Sequence, residues 1–222
     1  MEEVLSVFKK VDSEIPYRDS LKIYIKKFER KDNYSFIKTL MDVKKEIKIK
    51  VREGGEIRIN LNYVQSCEEI NFAYFPRISG SSVLDHCVVV LGPEYMAKIL
   101  ADAIEKIVGQ EAFLRVKFNF SASNEGKIRN FFDDIKRIKG ENILDPYLRG
   151  LSIEGTMVYR TGEYQKALTG EVKSLGLALG NDWFIVSSIG KITTYRRLSD
   201  EDFIEKIREV LIRLLRSGAV VL

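Results

Sequence analysis

The chain of 222 residues is poor in the side chains that most enzyme chemistry needs. It has one histidine, two cysteines and one tryptophan. His86, Cys67 and Cys87 lack the CxxC spacing of a closed zinc site, which would have to borrow a carboxylate such as Glu68, Glu69 or Asp85. Two cysteines do not make a disulfide framework. There is no GxxxxGK[ST] and no GxGxxG, so the phosphate loops of the common nucleotide-binding folds are excluded. No apolar run approaches the roughly 18 residues that a membrane-crossing helix needs. The opening stretch MEEVLSVFKKVDSE is charged and amphipathic, unlike a secretory signal, and with so few cysteines it points to a reducing, cytoplasmic setting. Glutamine is scarce while Lys, Glu and Ile abound, a composition that leans towards a thermophile.

The remaining candidates for chemistry weaken one by one. His86 and Cys87 are adjacent, and neighbours on a strand point to opposite faces, so they make a poor nucleophile pair and His86 reads as structural. Glu171-Val172-Lys173 matches the Glu-x-Lys element of Mg²⁺-dependent nucleases, in which carboxylates hold the metal and a lysine sits near the attacked phosphate. Glu29-Arg30-Lys31, Glu46-Ile47-Lys48 and Glu125-Gly126-Lys127 match it equally, so the motif selects nothing. Asp133-Asp134, on an expected helix, diverge by about 100°. Ser121, Ser123, Asn124, Gly126 and Lys127 surround an expected helix start, where an anion or ordinary capping fits. No catalytic residue, metal ligand or cofactor is assigned.

What the chain does have is pattern. Hydrophobic residues make up 45% of it, enough for a core. The net charge of +4 is unevenly spread, with thirteen bases against seven acids between Tyr17 and Arg58. Within this zone, residues 46–63 alternate strictly. Ile47, Ile49 and Val51 interleave with Lys48, Lys50 and Arg52, and Ile57, Ile59, Leu61 and Tyr63 with Arg58, Asn60 and Asn62. This predicts a β-hairpin. Keeping the odd residues of both strands on one face requires a three-residue loop, Glu53-Gly54-Gly55, with Arg52 opposite Glu56 and Val51 opposite Ile57.

Helical spacing predicts three helices before the hairpin, over residues 1–12, 18–30 and 33–45. Strands are expected at 69–75 and 86–91, a helix from Pro93 to Gly109, a strand at 112–120 and a helix from Ser123 to about Ile138. A meander of strands at 151–159, 167–179, 183–189 and 192–196 follows. A helix over 200–216 closes the chain, with Ser199 and Asp202 as a capping pair and Gly218 as its stop. The order ααα-ββββ-α-β-α-ββββ-α implies an α+β fold with two antiparallel units, each followed by a helix and pseudo-repeated. The expected divisions are a helical segment 1–45, a first unit 46–140 and a second 150–222.

A full core without a chemical site favours a non-enzymatic binding or adaptor protein that contacts a protein partner or a second copy of itself. The alternative is a nucleic-acid-binding protein. Its candidate face gathers Lys48, Lys50, Arg58, Asn60 and Asn62, extended by Arg115, Lys117 and Asn119 if residues 112–120 join the same sheet. The aromatics of these strands fall on the apolar side, which argues against base stacking. A Mg²⁺-dependent nuclease is the third reading.

Overall fold

The computed structural model describes residues 8–10, 12, 14–18, 21–53, 56–78, 86–108, 114–145 and 147–221. These show a mixed α+β protein built on antiparallel sheets, with four helices among the described residues. The chain divides into two compact units, Met1–Arg77 with Leu84–Phe113, and Ile78–Val83 with Leu114–Leu222.

The first unit is a five-stranded meander: β1 (Glu14–Arg18), β2 (Leu21–Arg30), β3 (Ser35–Glu53), β4 (Glu56–Phe75) and β5 (Cys87–Leu91), adjacent in that order. Here the expectation of N-terminal helices is corrected. Residues 21–30 and 35–45 are strands, and the segment 1–12 lies mostly outside the described residues. The sequence LKIYIKKFER fits two templates. Leu21, Tyr24, Ile25 and Phe28 have helical spacing, while Leu21, Ile23 and Ile25 alternate. The alternating set is the buried one. A bulge after Ile25 lets Ile25 and Phe28, three apart, face Thr39 and Ile37 on the same side of β3. In β3 the buried row is Ile37, Thr39, Met41 and Val43. Thr39 hides the period because it is polar, yet it is fully buried and its hydroxyl donates to the Ile70 carbonyl at 2.7 Å.

The expected separate strand at 69–75 is the root of β4, which runs 20 residues without a break. β5 forms where residues 86–91 predict a strand, but as an edge, half-buried throughout. Helix α1 (Glu94–Val108) follows it and buries Leu100, Ala103 and Ile104 against Ile23, Ile25, Ile37, Met41, Ile70 and Phe72. Phe8 closes this core edge-on to Phe72, with ring centroids 5.3 Å apart.

In the second unit β6 is only two residues long (Lys117–Phe118) and pairs with β12 (Val220–Val221). Helix α2 (Ala122–Phe131) ends seven residues before the expected Ile138, and β7 (Asp134–Asp145) begins there instead. The cause is again a bulge. Ile135 and Ile138 face Leu177 and Leu175 on one side of β9 because Lys136 is looped out, so a three-residue spacing sits on a strand. β8 (Leu148–Glu154) pairs antiparallel with β7, Arg137 opposite Glu154 and Asp145 opposite Leu148. Helix α3 (Gly162–Leu168), capped by the Thr161 hydroxyl on the Tyr164 N–H, takes up the start of the strand expected at 167–179. β9 (Glu171–Leu179), β10 (Asp182–Ser187) and β11 (Ile192–Thr194) complete a sheet ordered β11-β10-β9-β7-β8. Helix α4 (Asp200–Arg216) has the predicted bounds. Ser199 Oγ accepts from the Asp202 N–H at 3.1 Å and donates to its carboxylate at 2.7 Å. Gly218, at φ +74, ends it in the left-handed region. Ile204, Ile207, Val210, Leu211 and Leu214 join the core with Phe132, Ile135, Leu177 and Phe184.

Candidate binding site

The hairpin forms, but in another register. Glu53 pairs with Glu56, Arg52 with Ile57, Val51 with Arg58, Lys50 with Ile59 and Lys48 with Leu61. Two residues, not three, separate the strands. The root decides. Ile37 faces Phe72 and Thr39 faces Ile70 in the buried core, and this odd-to-even pairing carries to the tip without a bulge. A one-residue slip at the tip would suit residues 46–63 but would turn the core face outwards unless a bulge absorbed it. The proposed Arg52–Glu56 pair is therefore not made by this register. Asn60 and Asn62 are paired with Ile49 and Ile47, so Lys48 and Lys50 fall in one alternating set and Arg58, Asn60 and Asn62 in the other.

β6 belongs to the small sheet of the second unit, not to the hairpin's sheet. Arg115 donates through Nε to the Ile189 carbonyl at 2.8 Å, Lys117 lies opposite Val221, and the Asn119 amide oxygen accepts from the Ser121 N–H at 3.0 Å. These residues serve local structure there.

The hairpin's length stands out. β2 pairs with β3 only as far as Met41, and β5 pairs with β4 only from Asn71. From Asp42↔Cys67 to Glu53↔Glu56 the two strands pair with each other alone among the described residues. At about 3.3 Å per residue this is a two-stranded ribbon on the order of 40 Å long. A two-stranded hairpin is marginal in water by itself. This one carries Ile47, Ile49, Val51, Ile57, Ile59, Leu61 and Tyr63.

The other sequence candidates have structural work. His86 is exposed at φ +62, and its Nδ1 is hydrogen-bonded to the Tyr74 hydroxyl. Burial pushes the Cys87 thiol up to about 11, so at neutral pH it is not a thiolate nucleophile. Asp133 accepts from the Gly180 N–H at 2.6 Å, and Asp134 accepts from the Met157 N–H at 3.0 Å and pairs with Lys136 at 2.8 Å. Glu171 faces Glu141 across β9 and β7, with Lys173 at 2.6 Å from Glu171 and Lys139 at 3.0 Å from Glu141. Among the described residues no three His, Cys, Asp or Glu side chains gather as a metal would require. At the start of α2 the Ser121 and Ser123 hydroxyls bond each other at 2.8 Å. A carboxylate, Glu125, already sits in that first turn, buried and accepting from the buried Tyr164 hydroxyl at 3.1 Å.

One surface escapes the sequence reading. On the second sheet Trp183 and Tyr195 stack at 4.2 Å and 17°, and Arg137 Nη1 reaches the Tyr195 hydroxyl at 3.1 Å and Glu154 at 3.5 Å. The indole lies over Gly176, where a Cβ would be 3.0 Å from its Cζ3 and 2.7 Å from Arg137 Cβ. A glycine in the middle of the apolar strand SLGLAL was the available signal.

Ribbon, sheets and helices thus define an α+β protein whose most distinctive element is a long two-stranded β-ribbon with no third strand beside it among the described residues. No protein-family model, curated protein or solved structure matches the chain. Among the described residues no helix is long and apolar enough to cross a membrane.

Proposed function

We infer that this is a non-enzymatic binding protein that docks on a protein partner through the β3–β4 ribbon. The observation that carries the reading is the run of register pairs from Asp42↔Cys67 to Glu53↔Glu56 with no third strand beside it among the described residues. The register divides the seven large apolar residues into Ile47, Ile49 and Val51 in one alternating set and Ile57, Ile59, Leu61 and Tyr63 in the other, so both sides of the ribbon need cover that two strands do not supply. A protein surface offers this, whereas nucleic acid chiefly offers phosphates. Register also divides the Lys and Asn residues into two sets, which weakens a single basic face. The two free cysteines accord with a cytoplasmic setting. The sheet-plus-helix plan of each unit is compatible with a pseudo-repeat.

The test is site-specific photocrosslinking in the native host. A photoreactive residue at Ile49 should yield protein adducts, and one at the exposed Tyr147 of the second unit should not. An unlabelled chain in which Asn-Gly joins Ile47 to its register partner Asn62 should stay folded and, in excess, should not suppress the Ile49 adducts, whereas excess unlabelled full chain should. Adducts of equal yield at Tyr147 would remove the reading. So would tight binding to a mixed DNA and RNA pool that weakens steeply with salt, the mark of a phosphate-driven interface.

A further inference from the structure

The two free edges of the ribbon differ in charge. The β3 edge, residues 42–53, carries Lys44, Lys45, Lys48, Lys50 and Arg52. Lysines along an edge are a common guard against strand addition. The β4 edge has no charge from Ile59 to Cys67, INLNYVQSC, and no proline or glycine. These nine positions carry none of the charges that guard an edge, and among the described residues β5 is the only strand paired with β4 on this side, from Asn71 onward. A long uncharged edge of this composition recruits another strand.

We propose that this edge pairs antiparallel with the same edge of a second copy, about a two-fold axis at Tyr63, to form a homodimer with a continuous four-stranded ribbon. This rests on the ribbon-docking reading and names its occupant. A two-fold normal to the sheet maps each face onto itself, so a residue must face one of like parity in the second copy. Centring on Tyr63 satisfies this and sets the uncharged residues 59–67 against themselves. It also places Arg58 opposite Glu68 of the second copy, once at each end of the segment. Opposite charges directly across an antiparallel pair are favourable, and like charges are not. Centring on Asn62 instead sets Glu56 against Glu68. Centred on Ile47 the β3 edge sets Glu46 against Lys48 and Asp42 against Arg52, but also Lys44 against Lys50. Centred on Ile49 it sets Lys48 against Lys50, and centred on Lys48 it sets Lys48 against itself and Lys44 against Arg52.

Glu68 already accepts from Ser66 Oγ at 3.3 Å and from the Tyr95 hydroxyl at 3.2 Å. These partners tie the carboxylate to Ser66 of β4 and to Tyr95 of α1.

The experiment uses the whole chain. Light scattering coupled to size exclusion should give twice the chain mass at micromolar concentration. The pair Asn60→Lys and Asn62→Lys, which guards the edge, should raise the dimer dissociation constant at least about tenfold and leave the circular dichroism unchanged. Lys48→Asn and Lys50→Asn on the other edge should leave it unaltered. In a Cys67→Ser background, Tyr63→Cys should form an intermolecular disulfide, because residues on the axis have Cα atoms about 4.5–5.5 Å apart, within disulfide reach. Leu61→Cys should not, since it is four residues, roughly 13 Å, from its own copy. A monomer, a dimer indifferent to the edge lysines, or a dimer linked through Leu61→Cys and not Tyr63→Cys overturns the proposal. A monomer whose ribbon still crosslinks to a different protein overturns the dimer alone and leaves the docking reading standing. If the Tyr63→Cys chain misfolds, the edge-lysine pair decides.

Discussion

Trp183 is the chain's one tryptophan, and its position depends on a side chain that is not there. A Cβ on Gly176 would press on both the indole and Arg137 Cβ. Gly176→Ala is therefore expected to lift Trp183 off Tyr195 and to cost about 1–3 kcal/mol, as overpacking commonly does. Tryptophan emission and urea unfolding followed at the same wavelength read both effects. Unchanged emission would mean that the sheet yields and the stack survives. Cys87 gives a pH-dependent expectation. Its thiol is raised by burial from 9.0 to about 11. Above pH 9 the unfolded chain releases this proton while the folded chain keeps it, so the contribution is whole below that pH and declines as pH rises towards 11. A shift of this size corresponds to roughly 2–3 kcal/mol. The difference in stability between wild type and Cys87→Ala should shrink by that order across the window, and a flat difference would count against the burial argument.

At the scale of elements, α4 is where sequence and structure agree, and its cap gives a measurable reason. Ser199 and Asp202 bond reciprocally, so Ser199→Ala should cost about 1 kcal/mol in denaturant unfolding, and Ser199→Asp much less. A loss below a few tenths for Ser199→Ala would show that tertiary packing alone holds this helix end. This helix was legible because its apolar stripe, cap and stop coincide. Two of the segments misread as helices were ambiguous for one shared reason. In β2 and in β7 a bulge makes residues three apart, Ile25 and Phe28 or Ile135 and Ile138, point to the same side. That spacing imitates a helix turn, and the bulge itself leaves no residue signature in LKIYIKKFER or DIKRIKGENILD. In β3 the buried Thr39 broke the alternation that would have shown a strand. The ribbon's alternation was visible and its register was not, since local parity at residues 46–63 competes with the pairing of Ile37 and Thr39 some 10 to 20 residues away. β6 does not extend the hairpin's sheet for a similar non-local cause: Lys117 and Asn119 are tied to the last described strand and its approach.

At the scale of the whole molecule, the two units have separate sheets and separate sets of buried residues, and only the second contains tryptophan. Emission from Trp183 therefore reports the second unit, whereas far-ultraviolet dichroism reports both, and a single unfolding free energy for the chain is defined only if the two probes coincide. The division within residues 113–114 allows the second unit to be tested as a fragment. Residues 114–222 retain β6 to β12 and helices α2 to α4, but they lose Ile78, which is fully buried and grouped with this unit. The fragment should fold, show the same Trp183 emission as the full chain, and unfold at lower urea. The deficit should be about 2–4 kcal/mol, the loss of one buried isoleucine together with the cavity it leaves. A fragment with no cooperative transition would show that the second unit draws on the first for more than this one side chain. A fragment as stable as the whole would mean that the space left by Ile78 closes without cost. With the ribbon absent from it, the fragment should also be monomeric, which separates the stability of this unit from any assembly through β4.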